Sequence, residues 1–296
     1  MMQVMPPAVL TALPREGTLA TLRPGEAVDG IYACVRKQRL VTRTGLPYLA
    51  VELRDRTATV QARVFRDADL HGGRFEAGDL VSVKGRVVRF REQTQIELEW
   101  IARASAEEAD PASFLPVSYR DLDELDGFLE HLAREVADPG YVRLLDALLG
   151  DAEFRTEFRR AACTRDGHHA YLGGLLEHTV AVATLAQELA LGHPRLDSDL
   201  LMTAAIVHDI GKTREFTYGA AIERSNEGRL LGHVQIGLRL LQERAGGLDE
   251  QRLLALEHCV LLHHGPESRL QSVEALALYR LNTLDTSVKG ALEHGL

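Results

Sequence analysis

Nine of the twelve histidines fall between residues 168 and 264: His168, His169, His178, His193, His208, His233, His258, His263 and His264. Two stand in sharply defined contexts. His208-Asp209 follows the apolar run Ala204-Ala205-Ile206-Val207 and precedes Ile210-Gly211-Lys212, which sets an imidazole and a carboxylate side by side at a helix end. Such a pair can serve one divalent ion, and its carboxylate can bridge to a second. His178 lies mid-helix in Gly173-Gly174-Leu175-Leu176-Glu177-His178-Thr179. Taken alone, a histidine on an apolar helix is more often a satisfied core or surface residue than a ligand. His233 stands at a helix start, after Leu230-Leu231-Gly232, and His263-His264-Gly265 closes the apolar stretch Val260-Leu261-Leu262. Unpaired buried imidazoles are costly, and convergence on metal explains these residues together. Nitrogen and oxygen donors without sulfur suit Mn²⁺, Fe²⁺, Ni²⁺ or Zn²⁺ rather than Ca²⁺.

The elements that carry these residues are helical. From Tyr119 onward apolar residues recur with a helical period, as at 122, 125, 128, 129, 132, 133 and 136. Asp138-Pro139-Gly140 interrupts the pattern, and further helices are expected near 141–149, 151–163, 173–191, 197–207, 230–245, 249–262 and 272–292. Residues 25–104 read differently. Five short segments alternate or are rich in β-formers: 30–36, 48–54, 59–65, 79–90 and 94–101, with Gly85 as a bulge or bend. Five strands in so short a stretch suit a small closed barrel of the OB type. The expected fold is therefore multidomain α and β. Residues 1–24 form a leader with one short strand near 18–22, 25–104 the five-stranded barrel, 105–118 a linker and 119–296 an all-α domain.

Charge and cysteine usage narrow the function classes. The chain of 296 residues has a formal net charge of −9, yet residues 25–104 hold 14 Lys and Arg against 11 Asp and Glu. An acidic total argues against nucleic-acid binding by a whole-surface field but leaves room for a local basic face. The hydrophobic content of 45% excludes a disordered chain. Cys34, Cys163 and Cys259 lie far apart with no CxxC spacing, which disfavours a disulfide framework or thiolate zinc site. Each reads as a small buried apolar residue. There is no signal-peptide pattern at the N-terminus and no apolar run long enough to span a bilayer. A cytoplasmic location without membrane contact is the expectation.

The histidine blocks resemble the HD superfamily of metal-dependent phosphohydrolases. The matching pieces are His178, His208-Asp209 and the closing helix around Asn282-Thr283-Leu284-Asp285. The likeness narrows to the YhaM-type 3′-5′ exoribonucleases, which also place an OB-type domain first. It rests on four blocks in order, 168–179, 208–212, 227–233 and 258–265, and covers roughly residues 15–292. The resemblance implies that His178, His208 and Asp209 hold one ion, and that Asp209 bridges to a second held by His233, His263 and His264. The family's last ligand is the first Asp of a D-x-L-D-A pattern. Here that position is Asn282, a weaker donor, and Asp285 one turn on could substitute. A longer C-terminal tail than the one ending at Leu296 is also expected from the family.

Two such ions activate water near neutral pH and stabilise charge on a phosphate. Asp209, Lys212 and His169 are the catalytic candidates. Lys212 could contact a phosphate oxygen or simply be a solvated helix-end lysine; His168 and His169 could grip a phosphate or belong to a polar loop. His258 is expected to support the site, and His71, His131, His193 and His294 to be surface residues. On the barrel, Arg36, Lys37, Arg39, Arg63, Lys84, Arg86 and Arg89 are the candidate nucleic-acid contacts, with Tyr48, Phe65 and Phe90 available for stacking. The reading is thus a 3′-5′ exonuclease on single-stranded RNA, with DNA as a further substrate, and with a homo-oligomer implied by the resemblance alone. The alternatives are an HD hydrolase of nucleotides or cyclic dinucleotides, and a non-catalytic RNA-binding protein with a weakened metal site.

Overall fold

The computed structural model describes residues 18–91, 93–105 and 111–295. The chain separates into two compact units, dividing between Phe114 and Leu115. The first is a closed barrel of β1 (Ala27–Val41), β2 (Pro47–Arg54), β3 (Thr59–Val64), β4 (Leu80–Phe90) and β5 (Gln93–Arg103), ordered β1-β2-β3-β5-β4. Every pairing is antiparallel except β3 with β5. Closure depends on the length of β1. Its first half, from Ala27 to Ala33, pairs with β4, and its second half, from Ala33 to Val41, pairs with β2. The register shifts between Cys34 and Arg36, and in β4 between Lys84 and Gly85, where the sequence predicts a bulge. Alternation fills the barrel with Val28, Leu49, Val51, Leu53, Val64, Val83, Ile96 and Ile101. A short helix, α1 (Ala68–Gly72), lies between β3 and β4.

The leader strand expected near 18–22 is instead a 3-10 turn, Leu19–Thr21. Its amides are satisfied by side chains rather than by a sheet edge. The Leu19 N–H donates to Asp55 Oδ2 (2.8 Å) and the Ala20 N–H to Thr57 Oγ1 (3.2 Å), while Leu19 is buried against the barrel core. The rest of the leader, up to residue 17, lies outside the described residues.

The second unit comprises α2 (Leu122–Arg134), α3 (Pro139–Leu149), α4 (Ala152–Arg160), α5 (Gly174–Gly192), α6 (Ser198–Val207), α7 (Lys212–Glu215), α8 (Asn226–Leu230), α9 (Gly232–Arg244), α10 (Glu250–Leu262) and α11 (Val273–His294). Aspartates start many of them. Asp121, Asp138, Asp151, Asp197 and Asp249 each accept amide hydrogens of the following turn, as N-caps do. Asp138-Pro139 therefore both ends one helical pattern and opens the next, with proline where its missing N–H costs nothing. α6 is buried from Leu200 through Val207, and α5 packs against α2, α4, α6 and α11. These two apolar helices form the centre of the unit, so any polar residue they carry is brought inside.

Two sequence expectations change here. The unit is not purely helical, because β6 (Phe216–Tyr218) and β7 (Ile222–Arg224) form a hairpin between α7 and α8. The end of the expected linker is also part of the helical unit. Leu115 is fully buried, Val117 bridges to Leu172 and Ser118 Oγ donates to Glu177 (2.7 Å). Residues 106–110 lie outside the described residues. Among the described residues, no helix is long and apolar enough to cross a membrane.

Candidate metal centre and nucleic-acid interface

Five helices deliver the polar residues to one place. α5 carries His178, and the end of α6 presents His208 and Asp209. α9 opens with His233, α10 ends at His263-His264, and α11 contributes Asn282 and Asp285. The approach of α9 depends on Gly211. A Cβ there would stand 1.9 Å from the His233 carbonyl oxygen and 2.5 Å from the Gly237 nitrogen. Only glycine lets the turn after Asp209 sit this close to α9.

The two oxygens of Asp209 face different histidines. Oδ2 lies 3.5 Å from His178 Nε2 and 3.4 Å from His208 Nε2, and those nitrogens are 3.1 Å apart. Oδ1 lies 3.4 Å from both His233 Nε2 and His263 Nε2, and His233 Nε2 is 3.1 Å from His264 Nε2. Donors bound at about 2.1 Å to one ion stand about 3.0–3.4 Å from each other. The spacing in each group matches. The Nδ1 atoms of His208 and His263 are engaged by backbone carbonyls, Ala205 O at 2.9 Å and Val260 O at 2.6 Å. That protonates Nδ1 and leaves each Nε2 lone pair facing Asp209.

The unpartnered atoms give the test of fit. Both Asp209 oxygens, His263 Nε2 and Asn282 Oδ1 are buried without a hydrogen-bond partner, and Lys212 Nζ stands at ion-pair distance, 2.7 Å, from Asp209 Oδ2. Acceptors buried this way are expensive unless a cation satisfies them. Charge states agree. Burial alone would raise the Asp209 carboxyl, but Lys212 and His208 hold it well below the usual carboxylate range. Burial opposes the Lys212 ammonium, and Asp209 more than restores it. Burial pushes His178 down to about 4, so it is a neutral imidazole near pH 7. The donor set fits a divalent cation.

The remaining sequence candidates fall into distinct places. Lys212 is buried, not a solvated helix-end lysine, and it also reaches Cys163 Sγ at 3.3 Å. Cys163 belongs to the cluster with His178 and Asp209, a position its lone occurrence in the sequence did not suggest. Burial pushes its thiol up to about 12 in the metal-free protein. His169 is 1% exposed, with Nδ1 on the Tyr171 hydroxyl (2.8 Å), which in turn donates to Glu177 (3.0 Å). That burial removes it from the phosphate-gripping role, whereas His168 lines the open cavity. The cavity measures about 720 Å³ and is also lined by Arg165, Lys212, Arg224, His264 and Asn282. Asn282 Nδ2 donates to the His263 carbonyl at 3.3 Å. Asp285 is instead on the Nδ1 side of His178, at 2.6 Å. His258 accepts the Gln271 N–H at Nε2 (3.0 Å), a structural contact.

On the barrel, the basic candidates divide. Lys37 is committed to the structure: its ammonium donates to Gly72 O (2.7 Å), Phe75 O (2.6 Å) and Glu76 (3.0 Å), using all three protons. It has none left for a phosphate, contrary to the expectation from composition. Arg39 forms a two-point pair with Asp69, Arg36 lies 3.8 Å from Glu52 and Lys84 lies 3.4 Å from Asp29. The Arg39 and Lys84 pairs are exposed, where ion pairs are weak and exchangeable, and the Arg36 pair is half-buried at Glu52. Arg86 and Arg89 are exposed on β4. Arg63 lies over Tyr48 (5.7 Å) and Phe90 (5.1 Å), and Tyr48 stacks on Phe65 at 5.4 Å. Phe65 and Phe90 are each 43% exposed, so a cationic aromatic platform is open to solvent.

Comparison with known proteins agrees with both units. Residues 175–287 match the HD domain family, which implies divalent-metal binding, and residues 32–103 match the OB-fold nucleic acid binding domain family. The chain is similar to the 3'-5' exoribonuclease YhaM of Halalkalibacterium halodurans, at 27% identity over 81% of this chain and 75% of that one. The Bacillus subtilis YhaM is 29% identical over 81% of this chain and 77% of its own. Among solved structures, the second OB-fold domain of replication protein A from Methanococcus maripaludis matches 31% of this chain and 96% of that one. Its identity is 16% and its TM-score 0.25. The chain is thus an OB-fold and HD-domain protein, homologous over four-fifths of its length to the YhaM 3'-5' exoribonucleases.

Proposed function

We propose that this chain is a cytoplasmic, metal-dependent phosphodiesterase that removes nucleotides from the 3′ end of single-stranded RNA. The single observation that carries the reading is the division of Asp209, one oxygen toward His178 and His208 and the other toward His233 and His263. The reading takes two divalent ions, Mn²⁺ favoured. His178, His208 and Asp209 would hold one; Asp209, His233, His263 and His264 the other; and Asn282 would add its carboxamide oxygen.

When bound, such ions activate water and neutralise charge on the scissile phosphate. The protein's own groups supply the rest. Lys212, fully charged at the cavity wall, balances Asp209 and stands ready for a phosphate oxygen. Arg165, Arg224 and His168 line the same cavity and suit the neighbouring phosphates. On the barrel, Arg63 with Tyr48, Phe65 and Phe90 would stack bases without reading sequence, as single-strand binders do. Arg36, Arg39, Lys84, Arg86 and Arg89 would add backbone attraction. A homo-oligomer belongs to the same reading, with exposed Leu276, Leu284 and Val288 on α11 as a face for a second copy.

Chelator-treated protein should be inert on single-stranded RNA, regain hydrolysis with Mn²⁺, and stay inert as Asp209→Ala at every Mn²⁺ concentration. Hydrolysis that survives both chelation and Asp209→Ala would overturn the metal mechanism. Hydrolysis of mononucleotides or cyclic dinucleotides with RNA left intact would favour the small-nucleotide hydrolase.

A further inference from the structure

Four of the five proposed metal histidines are anchored in two different ways. His208 and His263 are held at Nδ1 by carbonyls of their own helices, three residues back. Those anchors are built into the backbone. His178 and His233 instead meet carboxylates from elsewhere in the fold. Asp285 Oδ2 stands 2.6 Å from His178 Nδ1, and Glu215 Oε2 stands 3.3 Å from His233 Nδ1. Each of the two donor groups around Asp209 therefore contains one imidazole fixed by a backbone carbonyl and one facing an acidic side chain.

Both carboxylates are built in rather than incidental. Glu215 is 4% exposed. It ends α7, six residues after Asp209, and Gly228 of α8 packs onto its backbone so closely that a Cβ there would lie 2.2 Å from the Glu215 carbonyl oxygen. Its other carboxylate oxygen lies 4.0 Å from Arg224 Nε. Asp285 is further engaged by His169, whose Nε2 lies 3.4 Å away, and His169 leads through Tyr171 and Glu177 to Lys289 Nζ at 2.7 Å. A carboxylate hydrogen-bonded at Nδ1, as Asp285 is to His178, keeps that nitrogen protonated, so Nε2 offers its lone pair, and it raises the basicity of the ring; Glu215 stands at ion-pair distance from His233 Nδ1, where it favours the same tautomer. Ring rotation is restrained by the same contact.

We propose that Asp285 and Glu215 are positioning residues that tune the two ends of the centre separately, Asp285 through His178 and Glu215 through His233. The inference rests on the two-ion reading above. Asp285 then acts behind a histidine rather than as the substitute ligand that its spacing from Asn282 suggests. Loss of such a partner typically weakens metal binding by about 10–100-fold. Because each carboxylate meets a different histidine, each loss should weaken one binding step and spare the other.

The test is a Mn²⁺ titration of the full-length, metal-free protein by calorimetry, with bound Mn²⁺ counted by mass spectrometry. Asp285→Asn, Glu215→Gln, His178→Ala, His233→Ala and the cross pairs are compared, with circular dichroism as a folding control. Wild type should bind two ions. Asp285→Asn should weaken one step about 10–100-fold and add no further loss to His178→Ala, whereas combined with His233→Ala it weakens both steps. Glu215→Gln should show the mirror pattern. Asp285→Glu should recover part of the lost affinity, and activity of both amide variants should return at saturating Mn²⁺. Two ions bound with wild-type affinity in both amide variants, or the same step weakened by both, would overturn the proposal. A wild-type protein that binds fewer than two ions would instead refute the two-ion reading on which it rests.

Discussion

Asn282 is where this chain departs from the D-x-L-D-A pattern, and Asn282→Asp is correspondingly informative. The side chain is 3% exposed, its Nδ2 donates to the His263 carbonyl at 3.3 Å, and its Oδ1 has no partner. The aspartate has the same shape but loses the donor and adds a negative charge near an already ionised Asp209. Without metal, the lost hydrogen bond leaves the His263 carbonyl short of a donor, and the new carboxylate has no donor either. Each unsatisfied buried group costs about 1–3 kcal/mol, so the metal-free variant should be destabilised by at least that amount. With metal the sign reverses, because a full charge replaces a dipole next to a divalent ion. A tenfold gain in affinity, about 1.4 kcal/mol, is the minimum expected. Urea melts with chelator and with saturating Mn²⁺ separate the two effects, since ligand stabilisation grows as the logarithm of concentration over Kd. The gap between metal-free and Mn²⁺-bound stability should widen by at least about 1.4 kcal/mol relative to wild type. An unchanged gap, with Mn²⁺ affinity equal to wild type, would show that Asn282 does not face the ion.

Other outcomes follow from the same geometry. Asp209→Ala should remove hydrolysis and lower bound Mn²⁺ while leaving far-ultraviolet circular dichroism largely unchanged; a variant that retains its full Mn²⁺ complement would contradict the bridging arrangement. His178, depressed to about 4 by burial, makes the metal-free fold acid-sensitive. The unfolded state takes up its proton near pH 6.5 and the folded state only near 4, so this contribution is complete above 6.5 and is lost as pH falls toward 4. Between pH 7 and 4.5 it amounts to about 2–3 kcal/mol, and a chelated His178→Gln protein should lose that much less stability over the same range. On the barrel, Phe90→Ala should weaken single-stranded RNA binding by about 1–3 kcal/mol in a filter or fluorescence assay. Lys37→Met should leave affinity and its salt slope unchanged and lower the melting temperature instead, because its ammonium is held by Gly72, Phe75 and Glu76.

Strands such as β2 and helices such as α2 were legible because their burial is periodic. β2 alternates buried and partly exposed residues along Pro47–Arg54, and α2 buries Leu125, Leu129 and Leu132. The clustering of His178, His208, Asp209, His233, His263 and His264 was legible from their positions at helix ends and on apolar faces. What escaped notice was short or tertiary. The strands of the β6–β7 hairpin are three residues each, too few for a period to register. Glu215 sits on a helix of four residues and acquires meaning only once α9 brings His233 against it. His169 reads as a catalytic candidate on a polar loop, but its ring is 1% exposed with Nδ1 on the Tyr171 hydroxyl. Lys37 and Arg63 are two basic residues on barrel strands, yet one ammonium is sealed by carbonyls and the other cation lies over exposed rings. Residue type alone does not separate them, because the difference lies in which groups the side chain meets.

The claim that the centre cuts nucleotides from a 3′ end is tested most directly with 5′-labelled single-stranded RNA, purified full-length protein and Mn²⁺, sampled over time on a sequencing gel. The account predicts a ladder that shortens progressively from the 3′ end and is absent with Asp209→Ala. RNA that remains intact, or discrete internal fragments appearing without a ladder, would contradict it.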